Sequence, residues 1–307
     1  MTKTQTRLVL VYNPNSTNYK RVKKDILDQK TVIFAEYRLH EYTIKKIGFE
    51  NNVKNLKKEL KDGDKVLALG GDATAAITAN AIMESDKDAT LAVLPYGNFN
   101  DLARTLGTMT LKDLDLDLRP IKLYPLEIYV DNKFWRYATC YVTIGMTAEA
   151  VELFDAPKFR KYMQKGHKSS WRSYLALAKW YFKNRHTKIF LPEFTINGQK
   201  TIKKASDYCA LSGKSMCRVM KGGEDFKKPE IFRSKALKTV SFPRLTTLML
   251  KSILTRTPGD ETKGDKLEFK DKATVELQAE GEYQIFENIK TIEVRKSKKC
   301  LKVVTKN

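Results

Sequence analysis

The sequence predicts two domains. The first, over residues 1–123, is an α/β domain with a parallel sheet and helices on both faces. The second, over 124–289, is mainly β, and a strand at about 290–307 returns to the first domain. Three observations carry this reading. Short β-prone apolar runs alternate with helix-favouring segments four times before residue 107, the pattern of a covered parallel sheet. Beyond Tyr124 the apolar runs follow one another across turn pairs such as Asp131-Asn132 and Asn197-Gly198. The length of 307 residues suits two modest domains, and 42% hydrophobic residues suffice for their cores.

The elements follow in order. Residues 7–12 (RLVLVY) form a strand that ends at the turn cluster Asn13-Pro14-Asn15-Ser16. Residues 19–29 have helical spacing through Val22, Ile26 and Leu27, with lysines opposite. A second strand lies within 31–42. Residues 51–60 read as a helix, stopped by Asp62-Gly63-Asp64. Residues 65–69 (KVLAL) are a third strand, followed directly by Gly70-Gly71-Asp72 and a helix over 73–83. Residues 90–94 (TLAVL) are a fourth strand, followed by a loop over 95–101 and a helix from 102. In the second domain, strands are expected at 126–130, 133–142, 189–196, 207–211, 267–269 and 274–278, with strand-like sequence again at 289–304. One helix, 171–184, carries Trp171 and Trp180 on an apolar stripe that suits core packing or a lipid interface.

Composition narrows the function classes. Lysine and arginine number 57 against 36 acids, a net charge of +21, which attracts nucleotides, nucleic acids and anionic lipid surfaces. No RRM, helix-turn-helix or zinc-finger signature accompanies the charge, so no nucleic-acid partner is expected. The four cysteines form no CxxC pair and there are three histidines, which argues against a zinc site or a disulfide framework. No apolar run approaches a membrane span and no signal peptide is evident, so a cytoplasmic protein, peripheral at the membrane surface, is expected. Self-association as a homodimer stays open.

Two loops carry the candidate chemistry, each where a strand ends and a helix starts, the place where open α/β sheets bind ligands. Gly70 and Gly71 let backbone approach a phosphate closely, and the next helix points its first N–H groups there. Asp72 adds a carboxylate suited to Mg²⁺ and Thr74 a hydroxyl. Taken alone, the tripeptide reads more readily as a helix start capped by Asp72. In the second loop, Gly97 again permits close approach. Asn98, Asn100 and Asp101 offer amide and carboxylate groups, and Arg104 lies one turn into the helix. By itself this string also fits an Asn-rich turn capped by Asp101.

GGDAT followed by LPYGNFNDLARTLG resembles the paired signatures of the diacylglycerol kinase-like lipid kinases, GGDGT and PxGTxNDxARxLG. The opening Asn13-Pro14-Asn15-Ser16 is similar to that family's NPxSG, and Gln278-Ala279-Glu280-Gly281-Glu282 to the surroundings of its DGE. The resemblance implies a two-domain NAD kinase/diacylglycerol kinase-like fold that binds ATP and Mg²⁺. It implies nucleotide contacts from Asn13, Thr43, Gly70, Gly71, Asp72, Ala73, Thr74, Gly97, Asn98, Asn100, Asp101 and Arg104, with Asp72 and Asp101 as metal ligands. It implies Asp72 and Glu282 as catalytic groups, Glu282 being the base that takes the proton of a lipid hydroxyl. The implied partners are a lipid substrate and an anionic membrane surface.

The sequence departs from the pattern at Ala73, Asn98, Phe99, Thr17 and Glu280. The bacterial members' Asp-Gly pair after a proline, linked to a second Mg²⁺, has no counterpart in Ser234-Lys235-Ala236, which lacks an acid. The expectation is an ATP-dependent lipid kinase. A homologue that binds nucleotide or anionic lipid without turnover and a small-molecule kinase such as an NAD kinase are the alternatives.

Overall fold

A computed structural model of the chain describes residues 5–148, 191–216, 220–237 and 259–306, with single positions at 179 and 182. The expected helix at 171–184, with Trp171 and Trp180, lies outside the described residues apart from those two positions. The chain divides into two compact units, Met1–Pro125 with Ser297–Asn307, and Leu126–Lys296.

The first unit is built on a six-stranded sheet in the order β2-β1-β3-β4-β18-β5. Its strands are β1 (Arg7–Tyr12), β2 (Arg38–Thr43), β3 (Lys65–Gly70), β4 (Thr90–Pro95), β5 (Ile121–Leu123) and β18 (Leu301–Val303). All pairings are parallel except that of β18 with β5. Four consecutive residues of β1 and of β4 and five of β3 are buried, so both faces are covered, as a parallel sheet requires. On one face Leu8, Leu10, Leu67 and Leu69 pack with Val22 and Ile26 from the segment of α1 (Tyr19–Asp25). On the other, α4 (Asp72–Ser85) packs against β1, β3 and β4 and against α3 (Phe49–Glu59). Buried on nearly all sides from Thr74 to Met83, α4 is rich in alanine rather than amphipathic. β1 sends the chain first to β2 on one side and then to β3 on the other. That reversal places the loops after β1, β3 and β4 at one edge of the unit.

The second unit is antiparallel and includes β8 (Tyr141–Gly145), β9 (Phe194–Ile196), β10 (Lys200–Ile202), β11 (Asp207–Leu211), β14 (Phe232–Leu237) and β15 (Asp260–Thr262); its strand order is β15-β14-β11-β8-β16-β17-β6-β7, with the β9–β10 hairpin attached to β16. Its spine is the long hairpin of β16 (Gly264–Ala279) and β17 (Glu282–Lys296), with register breaks between Glu268 and Val275. β6 (Leu126–Val130) pairs with the far end of β17, and β7 (Lys133–Ala138) pairs with β6. The sheet nevertheless curls round on itself: Trp135 of the edge strand β7 donates Nε1–H to Gln284 Oε1 at 2.9 Å, near the start of β17. The register breaks supply the bend.

Several elements differ from the sequence reading. The strand expected at 133–142 is two strands, β7 and β8 (Tyr141–Gly145), because the chain breaks at Thr139-Cys140, where the Cys140 carbonyl accepts the N–H groups of Ser212 and Gly213. The runs at 267–269 and 274–278 are one bulged strand. The returning strand expected at 290–307 is divided, for β17 runs to Lys296 in the second unit and only β18 enters the first sheet. The strand expected within 31–42 is β2, and the residues before it form a short helix (α2, Lys30–Ile33). Among the described residues no helix is long and apolar enough to cross a membrane.

Candidate active site

In the first unit β3 and β4 run side by side until Gly70 pairs with Pro95, and the chain then turns through Gly71 and Gly97 in contact. A Cβ on Gly97 would lie 2.3 Å from the Gly71 Cα, and a Cβ on Gly71 would lie 3.0 Å from the Gly97 Cα. The backbone of Gly71 has φ −95°, so this glycine is required for close approach rather than for a left-handed turn. A third loop joins them: Asn18 donates Nδ2–H to the Tyr96 carbonyl at 2.8 Å, and Tyr96 N–H bonds the Gly70 carbonyl at 3.0 Å. Neither Asn18 nor Tyr96 was singled out in the sequence. Polar side chains in turns are too common to stand out without the contact.

Asp72 opens α4, with Gly71 rather than Asp72 at the cap position. Its carboxylate crosses to α5 (Asp101–Thr105), accepting the N–H of Asn100 at 3.0 Å and of Asp101 at 2.6 Å. Asn100, at φ 55°, caps α5 and clamps Gly97: its Oδ1 accepts the Gly97 N–H at 2.7 Å, and its Nδ2 donates to the Gly97 carbonyl at 2.8 Å. Asp72 and Asn100 therefore brace the two loops into one body. Desolvation chiefly, and then the charge of Asp101, push the Asp72 carboxyl up to about 7, against the lowering effect of its backbone hydrogen bonds. Two carboxylates held in this way favour a cation. Mg²⁺ asks for only one or two of them, with phosphate and water completing its shell, so this donor set fits.

The other candidates distribute around this body. Ala73 has ordinary helical backbone, so alanine there carries no left-handed penalty. Thr74 is buried beneath Gly70, where an added Cβ would meet its Oγ1 at 2.4 Å. Asn98 and Phe99 are half-buried and Arg104 is exposed. Asn13 Oδ1 accepts the Asn15 N–H at 2.9 Å, shaping the loop after β1. Thr43 ends β2, paired in register with Tyr12 of β1.

Glu282 belongs to the second unit. It starts β17 directly opposite Ala279, so the hairpin turn is the two residues Glu280-Gly281, at φ 54° and 90°. A two-residue turn with both centres left-handed matches the strand twist. A non-glycine residue at φ 54° costs roughly 1–2 kcal/mol. The Glu280 carboxylate is not solvated. It is buried and accepts the Thr139 hydroxyl and the Cys140 N–H. Glu282, Gln284 and Phe286 pair with Ala279, Leu277 and Val275 and so share one face of the hairpin, where Glu282 and Phe286 are half-buried and Gln284 is exposed. Trp135 meets Phe286 edge-on there at 5.3 Å. Residues 234–236 lie in β14 (Phe232–Leu237), paired on both sides. Among the described residues no cluster of three or more His, Cys, Asp or Glu could hold a metal.

Residues 7–123 match the diacylglycerol kinase catalytic domain. No curated protein matches the sequence. The whole chain is similar in structure to a diacylglycerol kinase from Bacillus anthracis str. Sterne, with a TM-score of 0.67 and 14% identity over 99% of this chain and 98% of that one. A provisional diacylglycerol kinase from the same organism gives a TM-score of 0.68 at 14% identity and the same coverage. At that identity the structures speak for the fold, and the catalytic-domain match covers both glycine loops. Residues 7–123 thus carry a match to the diacylglycerol kinase catalytic domain, and the chain as a whole shares the two-domain fold of the diacylglycerol kinase structures.

Proposed function

We propose that the protein is an ATP-dependent lipid kinase that transfers the γ-phosphoryl group to the hydroxyl of a diacylglycerol-like acceptor. The observation that carries this reading is the contact of Gly71 with Gly97, fixed by Asp72 and Asn100 at the start of α4. Backbone N–H groups at the start of a 14-residue helix favour a polyphosphate, and the glycines let it approach without side chains intervening.

In this reading the N–H groups around Gly71 and Gly97 cradle the phosphates, Asn98 donates its amide to them, and Arg104 neutralises charge from the exposed side. Asp72 and Asp101 hold Mg²⁺, which when bound supplies neutralisation of the phosphate oxygens. Asn13 and Thr43 contact the nucleoside portion. Glu282 takes the proton of the acceptor hydroxyl as the phosphoryl group arrives. Trp135 and Phe286, beside Gln284 on the face that carries Glu282, receive the apolar part of the acceptor. The net charge of +21 favours residence on an anionic bilayer, where such an acceptor is found.

The reading is tested by phosphate transfer from labelled Mg·ATP to vesicle lipids, with a phosphorylated lipid as the expected product. One observation favours a second reading, binding without turnover. Asp72 and Asn100 are both engaged in bracing the loops. ATP binding with no transfer to any lipid would select it.

A further inference from the structure

We infer that Glu280 is the positioning residue for Glu282, and that the turn Thr139-Cys140 is the anchor through which it acts. This rests on the reading of Glu282 as the base.

Two grips converge on that turn, and a third reaches it through Ser212. Glu280, in the tip of the β16–β17 hairpin, bonds the Thr139 hydroxyl and the Cys140 N–H through one carboxylate oxygen. From the opposite side Ser212 and Gly213 donate their N–H groups to the Cys140 carbonyl at 2.7 and 2.8 Å. Lys296, at the far end of β17, donates from its buried amine to Ser212 Oγ and, at 2.9 Å, to the Asp225 carbonyl.

Glu282 and Lys296 bound a 15-residue strand, which if straight would span roughly 50 Å. Yet the tip beside one end bonds that turn, and the side chain at the other end bonds Ser212, whose N–H is held by the same turn. The curled hairpin thus closes on Thr139-Cys140, which directly follows β7, the strand that carries Trp135.

The geometry at Glu280 is otherwise unfavourable. Its backbone is left-handed, where glycine or asparagine sits more easily, and its carboxylate is buried. Thr139, Cys140 and Ser212 are at most 1% exposed, so the anchor is dry and its bonds do not compete with water. A tip held in this way gives Glu282, two residues on, a fixed direction. A free two-residue turn would let it swing.

The test uses the full-length protein. Glu280→Ala is expected to lower kcat by about tenfold or more with the KM for Mg·ATP unchanged. Glu280→Gln, whose carbonyl oxygen can accept the same two bonds, is expected to stay within about threefold of the parent. In a Glu282→Gln background, Glu280→Ala is expected to add less than about twofold, because a residue that acts only through Glu282 has nothing left to position. Equal losses in both backgrounds, or a Gln variant as damaged as the Ala variant, overturn the proposal.

Amide exchange decides it without activity. Glu280→Ala should deprotect residues 140 and 282–284 by about tenfold while 292–294 keep their protection. Unchanged protection at the tip overturns the proposal even if kcat falls. Thr139→Val, which keeps the shape of the anchor and removes one donor, gives the same readouts if Glu280→Ala does not fold. Full activity of Glu282→Gln would instead refute the base assignment and leave the exchange result to judge the anchor.

Discussion

Replacing Gly97 with alanine tests the body formed by the two loops. The added Cβ would sit 2.3 Å from the Gly71 Cα and 2.7 Å from Asn100 Oδ1. An ordinary carbon–carbon contact is about 3.5 Å, so the two backbones must part by roughly 1 Å. Neither neighbour can yield cheaply, since one is main chain and the other is the side chain that clamps Gly97 at 2.7 and 2.8 Å. Overpacking of this kind costs about 1–3 kcal/mol, and weakening the two clamp bonds adds about 1 kcal/mol each. A folded Gly97→Ala protein should melt several degrees lower and bind Mg·ATP at least about tenfold more weakly, since about 1.4 kcal/mol is a factor of ten. Calorimetric unfolding and titration with Mg·ATP read both quantities. Parental melting together with parental affinity would refute the argument that the glycines are there for close approach.

Four further outcomes follow from the structure. Asp72→Asn leaves the N–H groups of Asn100 and Asp101 sharing one acceptor oxygen, so Mg·ATP affinity should fall at least about tenfold. Parental affinity would remove Asp72 from the site. Because the Asp72 carboxyl is pushed up to about 7, Mg·ATP should bind more tightly as pH rises through 7 and release a proton on binding, measurable by titration in buffers of different ionisation enthalpy. A pH-independent affinity would contradict this.

Burial holds the Lys296 amine down at about 7 against an ordinary 10.5. Its contribution to stability is therefore complete above about 10.5 and lost as pH falls through about 7, by on the order of a few kcal/mol. Denaturant unfolding between pH 7 and 10 should show that slope in the parent and lose most of it in Lys296→Met. The same slope in both would be the contrary result. Trp135→Ala should raise the KM for the lipid acceptor several-fold without changing that for Mg·ATP. Equal effects on both would take Trp135 out of the acceptor surface.

The parallel half of the fold was legible because its strands are continuous apolar runs, buried on both faces and punctuated by Gly, Pro and Asn. β18 and β5 are three-residue strands whose place is set by each other and by β4, which no local pattern announces. In the antiparallel half, the break at Thr139-Cys140 was invisible because partners more than 70 residues away make it. The candidate loops stood out through their glycines, and the structure gives those glycines a specific reason in the 2.3 Å approach. Asp72 and Asn100 were recognised as site residues, but their bracing bonds link positions 28 and 3 apart and could not be read from spacing. Glu280 stood out in the sequence only as a departure from the DGE pattern. Its burial depends on Thr139 and Cys140, about 140 residues earlier.

The most direct test of the central claim is transfer of the γ-phosphate from labelled Mg·ATP to a panel of lipids in anionic vesicles, with Glu282→Gln in parallel. The panel holds diacylglycerol, a sphingoid base, ceramide, undecaprenol and phosphatidylglycerol. The account predicts one labelled lipid whose formation is lost with Glu282→Gln while Mg·ATP binding persists. No labelled lipid from a protein that binds Mg·ATP, or labelling unaffected by Glu282→Gln, would contradict it.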